Sequence, residues 1–84
     1  MTLTILYFAR LRDELGLGEE QLQTTPALRT LGALRDHLCE RGPQWRKSLL
    51  AAGIFAAVNQ EIADWDTPLQ GGEEIAFFPP VTGG

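Results

Sequence analysis

Hydrophobic and polar residues alternate over the opening of the chain, from Thr2 to Phe8. Leu3, Ile5 and Tyr7 share one side of an extended backbone, and Phe8 falls on the other side. A period of two predicts a half-buried strand whose odd-numbered residues face the core. Phe8 is therefore expected on the outer side of this strand.

Other short segments carry weaker signals of the same kind. Residues 10–15 predict a short helix that ends at Gly16, and residues 20–24 predict a second strand that pairs with the first as a hairpin. Three more strands are predicted from apolar runs bounded by turn residues. They cover residues 55–59, 62–65 and 74–78.

Apolar residues take up helical spacing after Thr30, a residue type that favours the N-cap position. This main helix is predicted to continue towards Gly42, with Arg41 in its last turn, where a cation suits the helix dipole. A second short helix is predicted over residues 45–52. The apolar stripe of the main helix consists of Leu31, Leu34 and Leu38.

These elements follow one another as strand, strand, helix, strand, short strand and strand. Nothing else in the chain can bury the leucine stripe, so the main helix must cover one face of a small mixed sheet. The predicted class is α+β, a β-grasp layout over residues 1–78 with the short helices beside the main one. Residues 79–84 are predicted to form an extended C-terminal tail.

Length, charge and cysteine content exclude several classes of protein. The 84 residues suffice for one domain with a modest core, and the net charge of -4 argues against nucleic-acid binding. No apolar run approaches a membrane span, and the opening resembles a strand more than a signal peptide. Cys39 is the single cysteine, which excludes an internal disulfide and suits a reducing cytoplasm.

Strand parity predicts an exposed apolar patch. If Phe77 points inward, Phe78 points outward together with Phe8, and Ile62 is expected to join them. Aromatic side chains on the outer face of a small domain indicate a surface that a partner covers. The alternative is that these side chains fold under a neighbouring loop.

The C-terminal tail has a distinct mechanical part at each step. Pro79 and Pro80 cannot donate to a strand ladder, and their fixed φ should launch the tail away from the sheet. The β-branched Val81 and Thr82 favour extension, and six extended residues reach roughly 20 Å. Two residues without a Cβ then allow the end to enter a narrow channel in another protein. They are Gly83 and Gly84.

The chain shows no catalytic or ATP-binding motif of its own. A free carboxylate at Gly84 is unreactive until its oxygen becomes a leaving group, so activation must come from a partner enzyme that uses ATP. His37 has no neighbour at metal-ligand spacing, and Cys39 is expected to be a packed helical residue, so no metal site is predicted. The acidic pairs at 19–20 and 73–74 are expected to be solvated or to face a basic partner.

Four segments resemble a known family over nearly the whole chain. ILYFARLRDELG at residues 5–16, TLGALRDHL at 30–38, FAAVNQ at 55–60 and PLQGGEEIAFFPPVTGG at 68–84 look like the small, sulfur-carrying subunit of molybdopterin synthase. That family is ubiquitin-like in fold. The resemblance implies a ubiquitin-like β-grasp domain that is a non-catalytic subunit of a sulfur-transferring enzyme.

The resemblance also implies a reaction sequence at the chain end. An E1-like adenylyltransferase would adenylate the carboxylate of Gly84 with ATP and magnesium, and the domain itself would bind no cofactor. A sulfur donor, such as a cysteine desulfurase or rhodanese-like protein, would then convert the end to a thiocarboxylate. The tail would enter the large subunit of a heterotetramer and donate sulfur to cyclic pyranopterin monophosphate, forming the molybdopterin dithiolene.

Three other functions remain open at the level of sequence. A sulfur carrier for another pathway, such as thiamine synthesis, would share the fold and the Gly-Gly end. A ubiquitin-like protein modifier would share the adenylation step, although Lys47 is the only lysine on which it could form chains. The third alternative is a passive interaction domain with an unused tail.

Overall fold

The computed structural model describes residues 1–80 as five strands and three helices. The predicted tail residues Val81, Thr82, Gly83 and Gly84 lie outside the described residues. The strands are β1 (Thr2–Tyr7), β2 (Glu19–Gln23), β3 (Phe55–Val58), β4 (Glu61–Ala63) and β5 (Glu74–Phe78). The helices are α1 (Arg10–Leu15), α2 (Leu31–Cys39) and α3 (Pro43–Leu49).

The five strands form one mixed sheet in the order β2-β1-β5-β3-β4. β1 and β5 are parallel neighbours, and the other three pairs are antiparallel. The predicted opening hairpin of β1 and β2 is therefore confirmed, as is the α+β class with helices on one face. Because β5 is the central strand, Pro79 and Pro80 follow from the middle of the sheet.

The inner face of the sheet carries the core. Leu3, Ile5 and Tyr7 are buried, as the alternation predicts, and Phe77 is fully buried beside them on β5. Phe77 stacks on Tyr7 at 5.8 Å between ring centroids. The predicted apolar stripe of α2 packs into the same core, and its three leucines are all fully buried. They are Leu31, Leu34 and Leu38.

Helix α2 begins as predicted and ends earlier than predicted. The Thr30 side chain accepts a hydrogen bond from the Ala33 N–H at 3.1 Å, which is the expected N-cap. The helix stops at Cys39, so Arg41 is not in its last turn. The N–H groups of Glu40 and Arg41 donate to carbonyls three residues back, which tightens and ends the helix before Gly42.

Several predicted boundaries move by a few residues. Helix α3 starts at Pro43, a favoured first position because proline lacks the N–H that would have no partner there, and it ends at Leu49. β3 stops at Val58 because Asn59 and Gln60 both adopt positive φ in the turn that follows. β2 lies one residue earlier than predicted, and β4 spans Glu61–Ala63.

Arg41 and Glu20 close the rim of the inner face. Two guanidinium N–H groups of Arg41 donate to the Glu20 carboxylate at 2.7 and 2.8 Å, and the Tyr7 hydroxyl donates to the same carboxylate at 2.7 Å. Arg41 also lies 4.6 Å from the ring centroid of Trp45. The expectation of a solvated or partner-facing acidic residue is therefore wrong for Glu20, whose cation is in its own chain.

This network shifts the pKa of its members. Burial raises the pKa of the Glu20 carboxyl, but the hydrogen bonds from Arg41 and Tyr7 outweigh burial, so the net pKa is lowered. Burial and the neighbouring carboxylate raise the pKa of the Tyr7 hydroxyl. Both groups thus keep the protonation states that the hydrogen bonds need.

None of the helices within residues 1–80 combines the length and the apolar character needed to cross a bilayer.

Candidate functional site

Three phenylalanines form a stacked row across the outer face of the sheet. Phe78 lies between Phe8 and Phe55, with ring centroids 4.8 and 4.9 Å away and ring planes within 4° and 10° of parallel. Phe8 remains 41% exposed. Parity correctly places Phe8 and Phe78 on the outer face, but the structure adds Phe55, and we call these three residues the aromatic row.

A second apolar row lies next to the first. Strand register aligns Leu6 with Ala76, Ala76 with Ala57, and Ala57 with Ile62. The two alanines keep the centre of the row shallow, and Ile62 at its edge is 76% exposed. The predicted patch residue Ile62 thus lies on the same face as the aromatic row, three strands from Phe8. We call the two rows together the outer-face patch.

A groove opens where the aromatic row meets the tail. Its volume is about 440 Å³. Ala9, at its rim, has φ 52° and ψ -133°, a strained backbone for a residue other than glycine. Such strain persists only where the surroundings hold it, and here the bend turns the chain from β1 into α1 beside the groove. The groove is lined by Phe8, Ala9, Arg10, Phe55, Phe78, Pro79 and Pro80.

The start of the tail is part of this surface. Pro79 and Pro80 are half-buried and follow directly after Phe78. They line the groove together with the aromatic row, so the row and these two prolines form one continuous surface. A partner that covers the aromatic row would therefore meet the base of the tail as well.

The remaining candidate residues are not drawn into this surface. Cys39 is buried in the core, and burial raises the pKa of its thiol, which disfavours the reactive thiolate. His37 is exposed on α2. Over residues 1–80, no three side chains of His, Cys, Asp or Glu are grouped so that they could hold a metal ion.

The sequence analysis does not include Phe55 in the predicted patch, because the residues of its own strand do not show which face of the sheet it lies on. The FAAV stretch lacks alternation, so parity cannot be read from it. The signal that finds Phe55 is the antiparallel register, which aligns it with Phe78. That register exists only once β3 and β5 are paired.

Fold and surface together define a ubiquitin-like β-grasp domain with an apolar patch at the base of its C-terminal tail. Residues 5–84 match the model of the ThiS family. The chain belongs to the ThiS family.

Curated relatives are similar along nearly the whole chain. The molybdopterin synthase sulfur carrier subunit of Haemophilus influenzae is 39% identical over 82 residues, which cover 98% of this chain and 99% of the relative. The subunit of the same name from Escherichia coli is also 39% identical, over 80 residues that cover 95% of this chain and 96% of the relative. Family and relatives agree with the resemblance seen in the four sequence segments.

Solved structures share the fold. SAMP1 from Haloferax volcanii superposes with a TM-score of 0.79 at 24% identity, covering 100% of both chains. A chain from the complex of subunits 1 and 2 of the molybdopterin-converting factor of Helicobacter pylori superposes with a TM-score of 0.70 at 24% identity, again covering 100% of both. At these identities, the likeness concerns the fold.

Proposed function

We propose that this chain is the sulfur-carrying small subunit of a molybdopterin synthase, and that it is a carrier without catalytic groups of its own. The observation that carries the proposal is the continuity of the outer-face patch with Pro79 and Pro80, which start the Gly-Gly tail. A carrier needs a surface for its enzyme and a reactive end at a fixed distance from that surface. Two relatives at 39% identity bear the name of such a carrier.

The reactive end is the carboxylate of Gly84. An E1-like adenylyltransferase joins it to the AMP portion of ATP, with magnesium, and releases pyrophosphate. The terminal sulfur of a persulfide, from a cysteine desulfurase or rhodanese-like donor, then displaces AMP. This attack forms a C–S bond to Gly84 and gives an acyl disulfide that still contains the S–S bond of the persulfide. A thiol then cleaves that S–S bond, which leaves a thiocarboxylate on Gly84 and a disulfide on the donor side.

The large synthase subunit is the proposed partner of the outer-face patch. Phe8, Phe78 and Ile62 dock on it, and the tail from Pro79 to Gly84 enters its active site, where Gly83 passes the narrowest part. Sulfur is then transferred to cyclic pyranopterin monophosphate, and two such transfers complete the dithiolene. A heterotetramer of two small and two large subunits in the cytoplasm is the expected assembly.

The test is the intact mass of the chain after incubation with ATP, magnesium, an E1-like enzyme and a sulfur donor. We expect a shift that matches replacement of one oxygen by sulfur, and no shift when Gly84 is deleted. The charged chain should then convert cyclic pyranopterin monophosphate when the large subunit is added. An unchanged mass, with an activating enzyme that is competent on another carrier, would contradict the proposal.

The same experiment separates the alternatives. A carrier of another pathway would acquire sulfur and fail to convert the pterin with the large subunit. A protein modifier would appear as isopeptide-linked conjugates that contain the Gly84 carboxylate. A passive domain would show neither charging nor conjugation.

A further inference from the structure

A tight turn precedes β3, next to the prolines that follow β5. The Ile54 N–H donates to the Ala51 carbonyl at 3.3 Å and closes the turn. Gly53 occupies the third position with φ +87°, a value that residues with a side chain rarely adopt. Turn geometry alone therefore favours glycine at this position.

A second reason for glycine comes from the tail. A Cβ built on Gly53 would lie 2.7 Å from Cβ of Pro80 and 3.5 Å from its Cγ. Real Cβ contacts do not occur at 2.7 Å, so any side chain at position 53 must displace Pro80 or the turn. The missing side chain is what allows Pro80 to lie where it does.

Sheet register explains why these two residues meet. β3 and β5 are antiparallel, with Phe55 opposite Phe78. Continuing that alignment beyond the strands brings Pro80 opposite Gly53. Proline has no N–H to donate to a ladder, so Pro80 does not extend the β5 pairing by donating to Gly53. The two residues lie against each other through van der Waals contact.

We infer that Gly53 is a positioning residue that sets the direction in which the tail leaves the domain. The inference rests on the proposed function for its effect on sulfur transfer, because that reaction takes place at the end of the tail. The fixed φ of two successive prolines transmits a displacement at Pro80 to the residues after it. Misplacement by about 1 Å at a remote position can lower a rate by about a hundredfold.

Gly16 supplies a matched control. It also has a positive φ, +69°, but a Cβ at this position would have no heavy atom within 4 Å. Gly16→Ala therefore imposes the backbone strain of an L-residue without a clash, and it lies at the end of α1. Gly53→Ala imposes the strain and the clash with Pro80.

The experiment compares five full-length chains: wild type, G16A, G53A, P80G and the double variant G53A/P80G. Thermal unfolding is measured first. G16A should melt roughly 5 °C lower than wild type, and G53A should melt at least as low, because it adds the clash to the strain. Each chain is then charged to the thiocarboxylate and purified. Sulfur transfer is followed in a single turnover with the large subunit and cyclic pyranopterin monophosphate.

We expect G53A to transfer sulfur roughly 10 to 100 times more slowly than wild type and G16A to stay within about twofold. In the P80G chain, Gly53→Ala should slow sulfur transfer by less than about threefold. The Cβ that it would meet is absent there, and glycine does not fix φ as proline does. Equal rates for G53A and G16A would overturn the inference. The inference would also be overturned if Gly53→Ala slowed sulfur transfer by the same factor in the wild-type chain and in the P80G chain.

A measurement without sulfur chemistry keeps the two proposals separate. In the wild-type chain, nuclear Overhauser effects should connect the Gly53 α-protons to the Pro80 β-protons, and G53A should shift the Pro80 resonances. If the wild type cannot be charged, the proposed function fails while this measurement still decides the contact. Absence of the effect in the wild-type chain would overturn the inference.

Discussion

The two faces of the sheet carry similar residues and have opposite fates. On β5, Phe77 is fully buried on the inner face, whereas Phe78, its neighbour in sequence, lies on the outer face beside the 41% exposed Phe8. Both faces present aromatic and aliphatic side chains. The difference is that α2 and its neighbours cover the inner face, whereas apolar area on the outer face stays open to solvent.

This difference separates folding from association. Burial of apolar area is worth roughly 25 cal/mol per Å², and the inner face gains it when the chain folds. Apolar area on the outer face stays exposed after folding and can be buried only when a partner binds. That burial must offset the translational and rotational freedom that both molecules lose on association. In β1 and β5, the odd-numbered residues therefore contribute to stability, and the residues between them contribute to the surface that a partner can cover.

The largest contrast is expected between Phe77→Ala and Phe78→Ala in stability. Phe77 is fully buried and its ring lies against those of Tyr7 and Trp65. Phe77→Ala therefore opens a cavity in the core and should cost about 3–5 kcal/mol of unfolding free energy. Phe78→Ala removes two ring stacks on an open face and should cost about 1–2 kcal/mol. Urea unfolding measures both. Equal losses would mean that the outer face is as much a core as the inner one.

A second contrast concerns binding. Phe78→Ala removes the centre of the aromatic row and should weaken docking on the large subunit by roughly 30-fold, the scale of a buried aromatic anchor. Leu50→Ala is the control, because Leu50 is 47% exposed and lies outside the outer-face patch. Calorimetric titration measures the affinities. If both variants bind alike, the aromatic row is not the docking surface.

The sequence predicts most of the fold because the signals are local. Alternation in β1 and the stripe of α2 assign the inner face, and Thr30 marks a helix start through a contact three residues away. The rest depends on pairing across the chain. Phe55 is placed on the outer face by its pairing with Phe78 on β5. Glu20 meets Arg41 only after β2 and the segment that follows α2 come together.

The tail, too, can be predicted from the sequence only in part. Parity and the two prolines predict where the tail starts and that it leaves the sheet. The contact of Pro80 with Gly53 depends on the register of β3 and β5, which no single stretch of sequence contains. A glycine in a turn predicts a positive φ, but it does not predict which residue lies against it.

The rim of the inner face should contribute less than its aromatic core. Glu20→Gln weakens the hydrogen bonds from Arg41 and Tyr7 and should cost about 1–2 kcal/mol at pH 7. The folded-state pKa of Glu20 is lowered, so its contribution is present above the unfolded value of about 4.5 and is lost as pH falls through the folded value. The stability gap between wild type and E20Q should therefore narrow in acid.

Urea midpoints at pH 7 and at successively lower pH measure that gap. Glu19→Gln is the control, because Glu19 is exposed on the same strand and faces the outer side. Its effect should stay within about 0.5 kcal/mol. A gap for E20Q that is unchanged in acid would show that the Glu20 charge does not stabilise the rim.

The smallest effects are expected from Ile62→Ala, at the edge of the outer-face patch. Ile62 is 76% exposed on the edge strand β4, so its truncation should change the unfolding free energy by less than about 0.5 kcal/mol. Docking should weaken by about two- to fivefold, because rim contacts exclude water more than they bind. A loss as large as that of Phe78→Ala would move the centre of the interface from the base of the tail to β4.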